Sequence, residues 1–378
     1  MTGASHWARR AKAAVSEGVV PGGSRGRLHA RRRTRITEAM LRAAVLLIAL
    51  GACATSYGRM ETDVVFTRYT PLSRSAEVAR RALPPLAYHR MQQALATAKQ
   101  KLAEQAIDLA AEKFDIYVPS GSPPPGGYGL VVYIAPSSRP TRPLDWRGPL
   151  DDHRLIFVSA QNSGNDKNVL DRRVPLALLA YDNVRARFPI DARRVFVMGF
   201  SGGSRVAEIV ALAYPDIFHG AVLNAGSDPI DGTAGNYKPP VELFRLFQRS
   251  RLIYITGEQD LDHLRQDGVS QDSMRSNCVL DLKTELALWL GHHAIDGAGL
   301  DRALDALEAR HLVDPDELAV CNARVQTQLT AELAKAAAAI ARGDRDAARG
   351  QLMAIDERFG GLAAPGILEL YARLEAPR

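Results

Sequence analysis

The sequence predicts an α/β fold built on a mostly parallel sheet covered by helices on both faces. Three observations carry this. Short, continuous apolar runs recur along the middle of the chain, as in strands buried on both faces. Stretches with helical spacing separate them, which is how parallel strands are joined. One of these junctions, residues 194–214, reads strand, glycine-rich turn and helix without a break.

The elements follow in order. Residues 57–85 lack steady periodicity and include Pro71, Pro84 and Pro85, which predicts a tether and irregular lead-in. Residues 86–114, rich in Ala, Leu, Gln, Lys and Glu, predict a helix laid against the main domain. Phe114–Val118 alternates as a strand and stops at Pro119. Leu130–Ala135 and Leu155–Ala160 are apolar strands, the second followed by Gln161-Asn162-Ser163-Gly164-Asn165-Asp166, a turn or part of a pocket wall. Val174–Phe188 has Leu176, Leu179, Val184 and Phe188 at helical spacing. Val195–Met198, Gly220–Ala225 and Leu252–Thr256 are further strands, and Asp191 turns the chain into the first of these.

Between Met198 and Arg205 the sequence is Gly199-Phe200-Ser201-Gly202-Gly203-Ser204, a G-x-S-x-G pattern. By itself the pattern is weak. Placed between a buried strand and a helix, it predicts a nucleophile elbow, with Ser201 raised above the sheet and the Gly202 N–H aimed at a developing oxyanion. Ser204 falls on the first helical turn. A serine hydroxyl needs a base oriented by an acid, and the elbow pattern resembles that of hydrolases in which the chain order is serine, acid, histidine. Asp260 and Asp228 follow strand ends. Trp289-Leu290-Gly291-His292-His293 is the downstream histidine cluster in the right order. Glu258 and Asp262 are expected on the solvent side of their loop, His263 on a surface loop, His219 as structural, and His311 beyond the domain.

These residues resemble the α/β-hydrolase fold, in particular its esterase branch of polyhydroxybutyrate depolymerases, feruloyl esterases and dienelactone hydrolases. The resemblance rests on Asp191–Val197, Gly199–Gly203 and Ala213-Tyr214-Pro215-Asp216-Ile217-Phe218, and spans residues 114–293. It implies a serine esterase without a cofactor. Asp260, in a T-G-x-x-D-like turn, would be the acid, with Asp228 as alternative. His292, after a glycine, would be the base, with His293 open as its competitor. The oxyanion hole would pair Gly202 with a donor from the loop after Ile134. There this chain departs from the family's His-Gly, having Ala135-Pro136-Ser137-Ser138. Pro136 has no N–H to give, which leaves Ala135 or Ser137.

Charge and the N-terminus define the setting. The net charge is +6, but residues 1–52 hold ten Lys/Arg and two Glu. Removing these from 48 basic and 42 acidic residues leaves 38 and 40, a body of −2, so no nucleic-acid partner is expected. The basic arm precedes Ala43–Leu50, an apolar core too short for a bilayer span but suited to a signal peptide. Leu50-Gly51-Ala52-Cys53 resembles a bacterial lipobox, implying lipidation at Cys53, a membrane anchor and an envelope location facing periplasm or exterior. Met40 is an alternative start, and Arg31-Arg32-Arg33 fits a twin-arginine signal poorly. An oxidising compartment would pair Cys278 with Cys321.

No His, Cys or carboxylate cluster has metal-ligand spacing, and phosphate-loop and dinucleotide patterns are absent from the sequence. The domain reading is therefore 1–52 basic arm and signal peptide, 53–85 tether, 86–299 hydrolase domain with its N-terminal helix, and 300–378 a helical extension. The extension's pair of helices about Gly343 suits packing on the main domain or a docking surface for an envelope partner. A second reading of function keeps the scaffold but drops the chemistry: a catalytically silent envelope lipoprotein that only binds.

Overall fold

The computed structural model describes residues 57–140, 142–230, 237–309 and 313–376. The basic arm, Met40, the apolar core, Cys53 and His311 lie outside the described residues. In chain order the elements are β1 (Arg59–Val64), α1 (Ser75–Ala82), α2 (Pro85–Thr97), β2 (Phe114–Val118), β3 (Tyr128–Ile134), α3 (Arg147–Asp152), β4 (Leu155–Ala160), α4 (Val174–Arg187), β5 (Ile190–Phe200), α5 (Gly202–Ala213), β6 (Gly220–Asn224), α6 (Val241–Phe247), β7 (Arg251–Gly257), α7 (Leu261–Ser276), β8 (Leu282–Ala287), α8 (Gly297–Glu308), α9 (Pro315–Ala341), α10 (Arg345–Phe359) and α11 (Gly366–Glu375).

The strands form one sheet in the order β1-β2-β4-β3-β5-β6-β7-β8. β2 runs antiparallel to β1 and β4, and the remaining pairs are parallel. Because side chains alternate along a strand, each central strand feeds two cores. Phe196 and Met198 join Val131, Tyr133, Phe157, Val222 and Ile253 on one face, under Trp146, Leu150 and the α8 residues Leu300, Leu304 and Leu307. Val195 and Val197 join Val132, Leu223 and Tyr254 on the other, under Leu176 and Leu179 of α4 and Val206 and Val210 of α5. Each such buried side chain contributes about 1.5–3 kcal/mol relative to exposure. The expected covered, mostly parallel sheet is what the chain forms.

Three expectations change. The stretch 57–85 is not an irregular lead-in: β1 adds to the edge of β2, and α1 is held by Arg81, whose guanidinium grips Asp216 at 2.7 Å. The helix expected through residue 114 stops at Thr97. Lys99 takes φ 52°, and the following extended chain is used elsewhere, Glu104 accepting from both N and Oγ of Ser75 at the start of α1. The boundary at residue 300 falls inside α8, which belongs to the sheet's own cover.

The extension packs against the body. Asp356 of α10 accepts hydrogen bonds from the Leu86 and Ala87 N–H groups, both at 2.9 Å, capping α2. Cys278, just past α7, is disulfide-bonded to Cys321 of α9. Gly343, at φ 78°, turns α9 into α10. Among the described residues, no helix is long and apolar enough to cross a membrane.

Candidate active site

Everything in the site follows from one sharp turn. β5 ends at Phe200 and α5 begins at Gly202, so Ser201 alone reverses the chain, at φ 54° and ψ −127°. A serine in the left-handed region stores about 1–3 kcal/mol of strain, which the surroundings must hold. The Ser201 N–H donates to Asn224 O at 2.8 Å, anchoring the turn to β6. A Cβ on Gly203 would strike Ile134 O at the end of β3, so only glycine lets α5 approach the sheet this closely.

The turn points the Ser201 hydroxyl at His292, to whose Nε2 it donates at 2.9 Å. His292 Nδ1–H in turn donates to Asp260 Oδ2 at 2.6 Å. Asp260 stands at the residue preceding α7, just after β7, and its N–H returns to Gly257 O at 3.0 Å. Burial works against the charge of Asp260, but hydrogen bonds from His263 and His292 outweigh it and hold the carboxyl below the usual range. The structure thus brings together Ser201, His292 and Asp260.

The loop carrying His292 is pinned at both ends. Leu290 O accepts from Gln259 N–H at 2.9 Å. Ile295 donates its N–H to Asn224 Oδ1 at 3.0 Å, and its carbonyl accepts from Trp146 Nε1 at 2.7 Å. These bonds bind the loop to the strand ends that also carry the acid and the elbow.

The alternatives separate clearly. His293 is exposed and makes no hydrogen bond to Ser201. Asp228 is turned to Arg205, with which it pairs at 3.1 Å. Ser204 is fully buried within α5 and cannot act as nucleophile. Glu258 Oε2 accepts the Trp289 N–H, and Asp262 is exposed beside Arg265. The silent-scaffold reading would have both histidines far from Ser201, and the 2.9 Å bond to His292 counts against it.

The oxyanion candidates lie as follows. Gly202 opens α5, where helical geometry leaves the first N–H groups without partners inside the helix. Ala135 is buried at the end of β3, and Ser137 is exposed with its Oγ donating to Arg139 O.

Two residues escaped sequence reasoning. His263 is not a free surface histidine: its Nδ1 donates to Asp260 Oδ1 at 2.8 Å, and its ring stacks on His292 with centroids 4.2 Å apart. Its signal was a D-x-x-H at a helix start, where positions three apart share a face. Arg173, just before α4, is buried and donates to Ser163 O, Gly202 O and Ala135 O at 2.9, 3.2 and 3.0 Å. With no carboxylate in contact among the described residues, burial pushes its pKa down to about 10. Nothing in its sequence neighbourhood marks it.

Contrary to the sequence expectation, Asp260, His263 and His292 place ligand-capable atoms within 4.8 Å of one another. They already satisfy each other by hydrogen bonds, and the imidazole planes lie 16° apart in a stack. An ion in the plane of one ring would be out of plane for the other, so the arrangement does not fit a metal.

No protein-family model matches the chain. It is 31% identical over 126 residues to poly(3-hydroxyalkanoate) depolymerase C of Paucimonas lemoignei, a match covering 29% of this chain and 30% of that one. The chain thus spans less than a third of that relative. Among solved structures it is similar to the poly(3-hydroxybutyrate) depolymerase of Bordetella parapertussis, with TM-score 0.40, 16% identity, and 56% of this chain and 88% of that one covered. It is likewise similar to the S-formylglutathione hydrolase of Staphylococcus aureus, with TM-score 0.40, 15% identity, and 66% and 95% covered.

Proposed function

We propose that this chain, which has the α/β-hydrolase fold, is a serine ester hydrolase acting through an acyl-enzyme. The observation that carries the reading is the unbroken hydrogen-bond chain Ser201–His292–Asp260, with the serine on a strained elbow. Ser201 Oγ attacks the ester carbonyl carbon as its proton passes to His292 Nε2, and the carbonyl π pair moves onto oxygen. Asp260 keeps the Nδ1–H tautomer in place and stabilises the imidazolium. Gly202, with Ala135 or Ser137, would meet the oxyanion by backbone N–H. Collapse of the intermediate expels the alcohol, which takes the proton from His292. Water repeats the sequence on the acyl-enzyme and releases the acid.

The substrate we infer is a hydrophobic ester, small or polymeric, or less readily an amide. The support is an open site: the His292 side chain is 40% exposed, and the adjacent Leu261, Leu288 and Trp289 are 65%, 62% and 83% exposed. Exposed apolar groups beside reactive residues suit an extended apolar chain. The partial match to a polyester depolymerase points the same way. Turnover of p-nitrophenyl esters of increasing acyl length, and of polyhydroxyalkanoate film, tests this. Ser201→Ala retaining the activity would exclude the serine mechanism.

We further propose that the protein is anchored by lipid on Cys53 in a bacterial envelope, facing periplasm or exterior, with the α9–α11 region free to meet an envelope partner. The lipobox-like sequence after a basic arm and apolar core supports it, as does a disulfide suited to an oxidising compartment. Metabolic labelling with a palmitate analogue should mark the wild type and miss Cys53→Ala. Equal labelling of both would refute the anchor.

A further inference from the structure

The loop after β4 is laid along the segment that should complete the oxyanion hole. Asn162 N–H donates to Ser138 O at 2.6 Å, and Asn165 N–H donates to Pro136 O at 2.8 Å. A Cβ on Gly164 would meet Ser138 N at 2.7 Å, so the two segments touch along their backbones. Arg173 then locks this pair to the elbow, because its one guanidinium holds Ser163 O, Ala135 O and Gly202 O together. The result is a fixed relation between Asn165 and Gly202.

In that relation the Asn165 side-chain amide lies against the Cα of Gly202. A Cβ on Gly202 would be 2.7 Å from Asn165 Nδ2 and would collide with Oδ1. Gly202 carries the N–H that the oxyanion must approach within about 3 Å. A group packed on the Cα beside that N–H is within reach of the same oxygen. Among the described residues the Asn165 amide makes no other hydrogen bond, and the residue is exposed, so a half-turn about its terminal torsion is open to it. The neighbouring backbone, meanwhile, is deficient in donors: Pro136 has none.

We propose that Asn165 is a catalytic residue, its Nδ2–H donating to the oxyanion beside the Gly202 N–H. It adds a side-chain donor beside a segment in which Pro136 has no N–H to offer. The inference rests on the serine-hydrolase reading of Ser201 and assigns the stabilisation of charge in that same site to a side chain.

The test compares wild type, Ser201→Ala, Asn165→Ala and Asn165→Asp on a p-nitrophenyl ester. Each is also titrated with a trifluoromethyl ketone, which forms a tetrahedral oxyanion on an activated serine. Asn165→Ala should lower kcat by about 10²–10³-fold, the usual loss for one oxyanion donor, with KM little changed. Ketone affinity should fall by a similar factor, and Asn165→Asp should fall further, since a carboxylate repels the oxyanion. Because Asn165 is exposed, thermal melts should match wild type. Asn165→Ala with wild-type kcat and ketone affinity, while Ser201→Ala is inactive, would overturn this inference alone. A raised KM with unchanged kcat would do the same, reducing Asn165 to a binding contact. Full activity in Ser201→Ala would overturn the serine reading beneath it.

Discussion

His263 and His292 lie face to face, ring centroids 4.2 Å apart, and donate to opposite oxygens of the one carboxylate, Asp260. The pair fixes both the rotation and the charge of that carboxylate, and under the proposed mechanism His263 is a positioning residue for the base.

His263→Ala should lower kcat by about tenfold, equivalent to ~1.4 kcal/mol. His263→Asn, whose amide can donate to Oδ1, should recover part of the loss. The pH profile separates this role from a merely structural one. Asp260 is held low in the folded protein, so its charged form is present above that value and lost as pH falls through it. Removing one hydrogen bond leaves the Asp260 carboxylate a stronger acceptor for the His292 Nδ1–H, which favours the imidazolium, and the acid limb of kcat/KM should move to higher pH. An unmoved limb would contradict the assignment.

Arg173→Lys keeps the charge but cannot hold three carbonyls at once. We expect kcat to fall at least tenfold with a smaller change in KM, and the melting temperature to drop. Steady-state kinetics with a parallel thermal melt checks it.

Glu208 is buried in α5, accepting from the Asp228 N–H at 2.8 Å, and burial raises its pKa well above 4.5. The folded protein therefore binds a proton that the unfolded chain releases, so stability falls as pH rises from 4.5 toward the folded value. Glu208→Gln should raise the melting temperature at pH 7, by about 2–4 °C per kcal/mol gained. The gain should vanish below pH 4.5. Melts at both pH values measure it.

The Cys278–Cys321 bridge spans 43 positions and joins the end of α7 to α9, away from Ser201. Opening it should cost about 4 kcal/mol on the chain-entropy model. Cys278→Ser/Cys321→Ser should show that loss in urea unfolding while keeping near-wild-type kcat at 25 °C.

What the sequence revealed tracked how each element is buried. β3, β4, β5, β6 and β7 sit in the middle of the sheet with both faces covered, so each reads as an apolar run. β8 and β1 are edge strands with polar residues such as Lys283, Glu285, Glu61 and Thr62, and their pattern does not distinguish them from loops. α7 stayed hidden because its buried face is polar. Asp267 there accepts from Ser227 and Thr256, both at 2.6 Å, and Ser270 bonds to Tyr254. The elbow was legible because strand, turn and helix are local. Choosing His292 over His293 depends on a loop whose course is set by distant bonds to Asn224 and Trp146. Arg173 works only through backbone carbonyls brought together by the fold, which no spacing encodes.

The proposed chemistry stands on activation of Ser201 by His292. Labelling with a fluorophosphonate probe tests it most directly, comparing wild type with Ser201→Ala, His292→Ala and His293→Ala. Wild type and His293→Ala should label strongly, Ser201→Ala not at all, and His292→Ala almost not at all. Labelling that survives loss of Ser201, or that depends on His293 rather than His292, would contradict it.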